Sequence, residues 1–307
     1  MTRTGGIAAA LAIAASLADV RPAAAQAWAP RAREGDVTIV TQTIDHIGRI
    51  NGDIRVDCCE TTNVALAVDV DYGVTSRLSV SASLPYVFAK YRGGPPDPNG
   101  PAHFLPYPEV DSCHCLHGGV QDIAFGAHYN LLKTRRSFSL MTSMTYGNPT
   151  HNYDYAGEAV IGFGLTELGL SADARQRLDF LLPGLSIDGH YGYTIVERAL
   201  DISHNRSNAR VHTGYLFPAH VSGHLLLSWQ HTHGGLRFPD DVEPFAERWT
   251  EFHRLLQDNY FQAGAGASYT WRDWDLSLSF LKTVSGTNTH NVHIYTATAG
   301  RSFRLSR

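Results

Sequence analysis

Four cysteines stand in two close pairs, Cys58-Cys59 and Cys113-x-Cys115, and the second pair sits inside Cys113-His114-Cys115-Leu116-His117. Two chemistries suit such residues. An even number of cysteines in an exported chain points to disulfides. A vicinal or one-spaced pair is awkward to close on itself, because a disulfide needs a certain Cα separation. The spacing therefore predicts two bridges joining Cys58 and Cys59 to Cys113 and Cys115. The alternative is a metal site on the same cysteines, with His114 and His117 as further ligands and Glu60 nearby. Thiolate and imidazole suit zinc or copper(I), although the Cys-x-Cys spacing is tighter than the usual structural zinc pair.

A second constellation is spread along the chain. Asp69, Asp71, Asp122, His128, Asn130, Asp188, His190, Arg210, His212, His220, His224, Asp275 and His293 fall on the polar sides of alternating segments. They are candidates for lining a polar interior, as a hydrogen-bonded network, a permeation path, or both. A third is His204-Asn205-Arg206-Ser207-Asn208, which holds the residue types of a lipid hydrolase. In a strand, His204 and Ser207 face opposite sides, which argues against a catalytic pair. No residue pattern calls for a cofactor, and the net charge of −4 gives no sign of nucleic-acid binding.

The elements that would position these residues begin with an export signal. Arg3 is followed by the apolar run Ile7–Ala18 and by the small residues Ala23-Ala24-Ala25-Gln26-Ala27. The run is too short for a spanning helix of about 20 residues, so residues 1–27 read as a cleaved signal peptide. Residues 28–307 then form one domain. Charged residues make up only 18% of the chain, while Gly (28), Tyr (14) and Phe (13) are abundant; such a composition suits a wall facing lipid.

Period-two alternation is the main structural signal, as in Leu78-Ser79-Val80-Ser81-Ala82-Ser83-Leu84 and Trp274-Asp275-Leu276-Ser277-Leu278-Ser279-Phe280. It predicts about 12 strands: Val37–His46, Thr62–Tyr72, Arg77–Ala89, Gly119–Leu132, Ser137–Tyr146, Glu158–Ala172, Phe180–Val196, Asn208–Phe217, His220–Thr232, Tyr260–Trp271, Trp274–Gly286 and Asn291–Arg304. Most have the length that a tilted strand needs to cross a membrane. Connections after even strands are short and those after odd strands mostly long, the sorting expected of an outer-membrane barrel with both termini in the periplasm. Aromatics cluster near strand ends, as girdles at the lipid headgroups do. Pro244–Leu256 has helical spacing of Phe245, Trp249, Phe252, Leu255 and Leu256, which suits a lid in the mouth or a packed cap over the loops. The expected fold is thus an all-β, antiparallel, up-and-down transmembrane barrel in the bacterial outer membrane. Its partners would be the bilayer, a small-molecule substrate and the barrel-assembly machinery, which reads a terminal aromatic, here Phe303.

The runs YGVTSRLSVSASLPYVFAKYRG (Tyr72–Gly93), GGVQDIAFGAHYNLL (Gly118–Leu132) and GTNTHNVHIYTATAGRSF (Gly286–Phe303) resemble the phenol meta-cleavage pathway family of outer-membrane proteins. The likeness lies in an amphipathic strand ending in Leu84-Pro85-Tyr86 and in a Gly-x-x-Asp from Gly119 to Asp122 that opens the next long strand. It covers most of the chain and rests on barrel-building motifs. The resemblance implies a channel or transporter for uptake or permeation of small hydrophobic or aromatic compounds, with no catalytic role. It carries over no functional residues.

Overall fold

The computed structural model describes residues 30–56, 60–93, 109–133, 138–152, 157–237 and 254–305. The expected signal peptide and most of the Pro244–Leu256 segment lie outside them. Twelve long antiparallel strands form one sheet: β1 (Glu34–Asn51), β3 (Thr61–Gly73), β4 (Leu78–Tyr91), β6 (Ile123–Lys133), β7 (Phe138–Asn148), β8 (Glu167–Arg177), β9 (Leu185–Val196), β10 (His204–Leu216), β11 (Val221–Gly234), β12 (Asn259–Trp271), β13 (Trp274–Thr287) and β14 (Thr289–Arg304). Two short pieces complete it. β2 (Ile54–Val56) folds back on β1, and β5 (His117–Val120) runs on from β6 along the outer half of β4. The sheet closes because β1 pairs with β3 on one side and with β14 on the other, from Glu34 opposite Arg304 to Ile50 opposite Thr289. Closure leaves no long edge unpaired, which a lipid-embedded sheet requires.

Alternation sorts the side chains as its period demands. Leu66, Phe125, Leu170, Leu225, Leu276, Leu278 and Tyr295 are all exposed, Leu225 and Leu278 to 64% and 67%. Their alternates on the same strands carry the polar residues. The expected wall positions Leu66, Phe125, Leu276 and Leu278 thus all face outward. Tyr86, Tyr146, Tyr191 and Trp229 stand outside toward one end, Tyr269 and Trp271 toward the other. The Arg272 guanidinium lies 5.0 Å over the Trp271 ring, at the level where charge and ring can both reach water.

One end carries only tight connections, such as Arg272-Asp273 between β12 and β13 and the 3-10 turn Pro218–His220 between β10 and β11. The other end carries the long ones. Several strand boundaries differ from the sequence reading: β1 runs on past His46 to Asn51, β8 past Ala172 to Arg177, and Gln121-Asp122 interrupts the expected Gly119–Leu132. Glu158–Thr166 is not the start of β8: Gly157 and Gly164 take positive φ of 124° and 63°, which breaks extended structure there. Residues 178–184 form a turn, closed by the Gly184 N–H donating to Asp179, so Phe180 precedes β9. β10 begins at His204 rather than Asn208 because Asn205, Arg206 and Ser207 pair with β11.

Candidate functional site

At the end with the long loops, the inner face of β4 turns apolar, with Val87, Ala89 and Tyr91 all buried. What covers them is the stretch between β7 and β8, the one misread as strand. Ala159 and Ile161 pack onto Val87, Ala89 and Tyr91, with Ala65 of β3 alongside. The backbone of this stretch is held by a side chain instead of a strand. The Glu158 N–H donates to Asp111 at 3.1 and 2.8 Å, one distance to each carboxylate oxygen, and the Ala159 N–H donates at 2.9 Å. Asp111 belongs to a single helical turn, Glu109–Ser112. Burial pushes its carboxyl above the usual range, although the N–H donors pull the other way. The Glu158 side chain reaches the far wall, where it pairs with Arg49 of β1 and lies 3.2 Å from His290 Nε2 of β14. The His290 ring meets His46 edge-on at 4.9 Å. A stretch rooted between β7 and β8 is therefore pinned to β4 and to the β1–β14 seam, and so crosses the mouth.

The described ends of the loop after β11 pack together at the same end of the barrel. Leu236, Leu255 and Leu256 bury one another against Ala199 and Ile202, so the described end of the expected helix packs as a cap. Below it, the Asp258 carbonyl accepts from the Thr232 hydroxyl at 2.8 Å. The Asp258 carboxyl is enclosed, and burial pushes it up against the opposing pull of the Thr289 hydroxyl, His290, Arg206 and Arg49. Arg206 itself pairs with Glu167. A group whose proton is held more tightly in the docked state favours that state fully below its ordinary value of 3.8. That contribution is lost as pH rises through the raised value. The mouth is expected to close more firmly as pH falls from neutral into the acid range, and Asp258→Asn to flatten that dependence. Open fraction against pH in planar bilayers measures it, and the difference between the two profiles is the Asp258 contribution. Identical profiles would remove Asp258 from the closure.

Beneath the mouth lies a lumen cavity of about 570 Å³. One wall is charged: Asp173 of β8, Asp188 and His190 of β9, Arg210 and His212 of β10. Apolar side chains complete the lining: Met141 and Leu226 flank the charged wall, paired with Asp173 and His212, while Leu281 and Ile294 lie across from it beside Gln42 and Thr296. His190 bridges Asp173 at 2.7 Å and Asn208 at 3.0 Å. Asp188 takes Arg175 at 3.1 Å and His212 at 2.9 Å, and His212 packs on His224 at 4.8 Å. His128 spans Ser81 and Ser143.

Asn130 is buried on the same inner side, and Asp275 accepts from Thr270 at 2.7 Å lower in the barrel. Asp69 and Asp71 share the inner register of β3, and Asp122 lies in the break between β5 and β6. Two expected lining residues fall elsewhere. His220 ends the exposed turn Pro218–His220, because positive φ at Ala219 and His220 reverses the chain before β11 begins. His293 packs on Phe280 of the outer face, since its neighbours Val292 and Ile294 take the inner side.

The fold has solved counterparts. A crystallised outer-membrane channel from Pseudomonas putida F1 superposes with a TM-score of 0.67 at 12% identity, over 93% of this chain and 100% of that one. The translocator domain of the autotransporter NalP from Neisseria meningitidis gives 0.48 at 12% identity, over 88% of each chain. No protein-family model matches the chain, and no curated protein is similar to it in sequence. The fold is an outer-membrane β-barrel. Closed, twelve-stranded and apolar outside, the barrel lies in the bacterial outer membrane.

His204 and Ser207 lie on opposite faces, as their spacing in a strand requires, and on the outer face Ser207 pairs with His233 instead. Its Oγ lies 2.8 Å from His233 Nε2 on the adjacent strand, and the Tyr191 hydroxyl donates to it at 3.3 Å. His231 and Tyr193 ring the same spot. Among the described residues no carboxylate bonds His233. The group satisfies polar atoms at the headgroup level, where an aromatic belt sits. His204, by contrast, is buried on the inner side, close to Arg206.

The cysteines depart from expectation. Cys113 is bonded to Cys115, with Cα atoms 5.1 Å apart. His114 between them takes φ of 48°, and this left-handed kink brings the pair within the range a disulfide needs. In the structure these two pair with each other and not across the loops, so neither sulfur is a thiolate. Cys58 and Cys59 lie outside the described residues. Of the proposed imidazole ligands, His117 sits 2.6 Å from the Ala159 carbonyl and His114 lies against Tyr91. Among the described residues no His, Cys, Asp and Glu group is arranged to hold a metal. Mass spectrometry of unreduced, alkylated protein is expected to return one peptide carrying Cys113 and Cys115 unalkylated and linked to each other. A peptide joining either of them to Cys58 or Cys59 would restore the cross-loop pairing.

Proposed function

We propose that this chain is a gated channel through which small molecules cross the outer membrane, with hydrophobic or aromatic compounds as the class it passes. The observation that carries the reading is the lumen cavity of about 570 Å³ lying under a mouth closed by side-chain pins. A barrel serving only as a scaffold has no need of such a cavity. The stretch across the mouth is held by the side chains of Asp111, Arg49 and His290, contacts that can break without unpairing a strand. The apolar patch formed by Met141, Leu226, Leu281 and Ile294 suits molecules with an apolar body. Insertion by the barrel-assembly machinery through β14 and Phe303 belongs to the same reading. Purified protein in a planar bilayer is expected to give discrete conductance steps, and proteoliposomes to take up small aromatic solutes faster than protein-free vesicles. Vesicles no more permeable than lipid alone, together with an electrically silent bilayer, would refute it.

A further inference from the structure

We infer that the lumen cavity binds small monocarboxylates with an apolar or aromatic body, and that Arg210 holds the carboxylate. The inference deepens the channel reading and rests on it for its meaning in transport. It follows from which side chains of the charged wall are already engaged. Asp173 is engaged by His190, and Asp188 by both Arg175 and His212. Arg210 lines the same cavity and is open to its solvent. Among the described residues it has no hydrogen-bond or ion-pair partner. Its backbone is fixed by pairing on both sides, opposite His190 of β9 and Ser228 of β11, so the side chain is presented from a rigid wall.

A guanidinium is a planar fork of donors matched to a carboxylate, and in a confined space the two bond through paired N–H donors. Leu226 beside the charged wall, with Leu281 and Ile294 across the cavity, offers a surface for an apolar body. The combination of one cation with an apolar surface selects amphipathic monoanions. Inorganic phosphate and dicarboxylates fit poorly, since a second charge would face Asp173 and Asp188.

Binding and conduction are measured separately. Detergent-solubilised full-length protein is titrated calorimetrically with benzoate, its neutral isostere benzamide, and inorganic phosphate. Benzoate is expected to bind saturably, with benzamide and phosphate at least about tenfold weaker. Arg210→Gln should lose about tenfold or more in benzoate affinity while leaving benzamide unchanged. Arg210→Lys, which keeps the charge without the fork, should fall between. Heat-modifiable gel migration checks that each variant is folded. Equal affinity for benzoate and benzamide, phosphate binding as tightly as benzoate, or an Arg210→Gln variant as good as the parent each overturns the site. Benzoate binding in a protein that conducts nothing would instead overturn the channel reading and leave the site standing.

Discussion

Arg49→Ala is expected to open the mouth. Arg49 and Glu158 have side chains only 16% and 13% exposed, and they join the stretch from the β7–β8 connection to the first strand. Removing one member of such a pair leaves a buried charge uncompensated, at a cost of about 3–5 kcal/mol. His290 offsets part of this, since it also touches Glu158. The stretch relieves this by leaving the lumen, against its remaining holds: the N–H bonds to Asp111, the His117 contact with the Ala159 carbonyl and the packing of Ala159 and Ile161 on β4. With 1.4 kcal/mol per factor of ten, the ratio of open to closed should rise about a hundredfold or more. Single-channel recording reads this directly as a gain in open fraction. The paired replacement Arg49→Met with Glu158→Leu leaves no buried charge and fills the space, so it should stay as closed as the parent. An Arg49→Ala channel with parental open fraction would show that the pin does not set closure.

Leu278→Arg is expected to be the most damaging single change on the wall. Leu278 faces outward in the middle of β13, opposite Ala267 and Ala297 on its neighbours. A charge there meets hydrocarbon, at about 2–4 kcal/mol near the midplane and less toward the interfaces. Its neighbour Ser277 faces the lumen, where its hydroxyl bonds that of Thr298 at 2.6 Å. Ser277→Arg loses that bond but keeps its charge in water, so it should cost clearly less. Reversible urea unfolding in lipid vesicles, followed by tryptophan fluorescence, compares the two. Equal losses would mean that the inner and outer faces have been exchanged.

How much of this was legible beforehand depends on which forces act locally. Alternation is a property of the strand itself, so the run from Trp274 to Phe280 could name its outer and inner residues without a partner strand. Bilayer thickness fixes strand length, and turn residues fix the short connections; together these reach a twelve-stranded barrel with sorted loops. They fail where a residue's role is set from across the lumen. The run from Gly157 to Thr166 is as apolar and as alternating as a strand, but two glycines at positive φ and the Asp111 carboxylate turn it into a plug. Nothing near Glu158 in sequence announces that Arg49 and His290 will meet it, since both lie more than 100 positions away. Ser207 finds His233 for the same reason, through the register of β10 on β11 and not through the nearby His204. Cys113 finds Cys115 because His114 adopts a left-handed backbone, a choice that residue spacing does not encode. Sequence alone determined the wall, because each wall residue answers only to lipid or water beside it. The plug, its pins and the open cation of Arg210 were decided by tertiary structure, since each depends on which distant charge the closed barrel brings within reach.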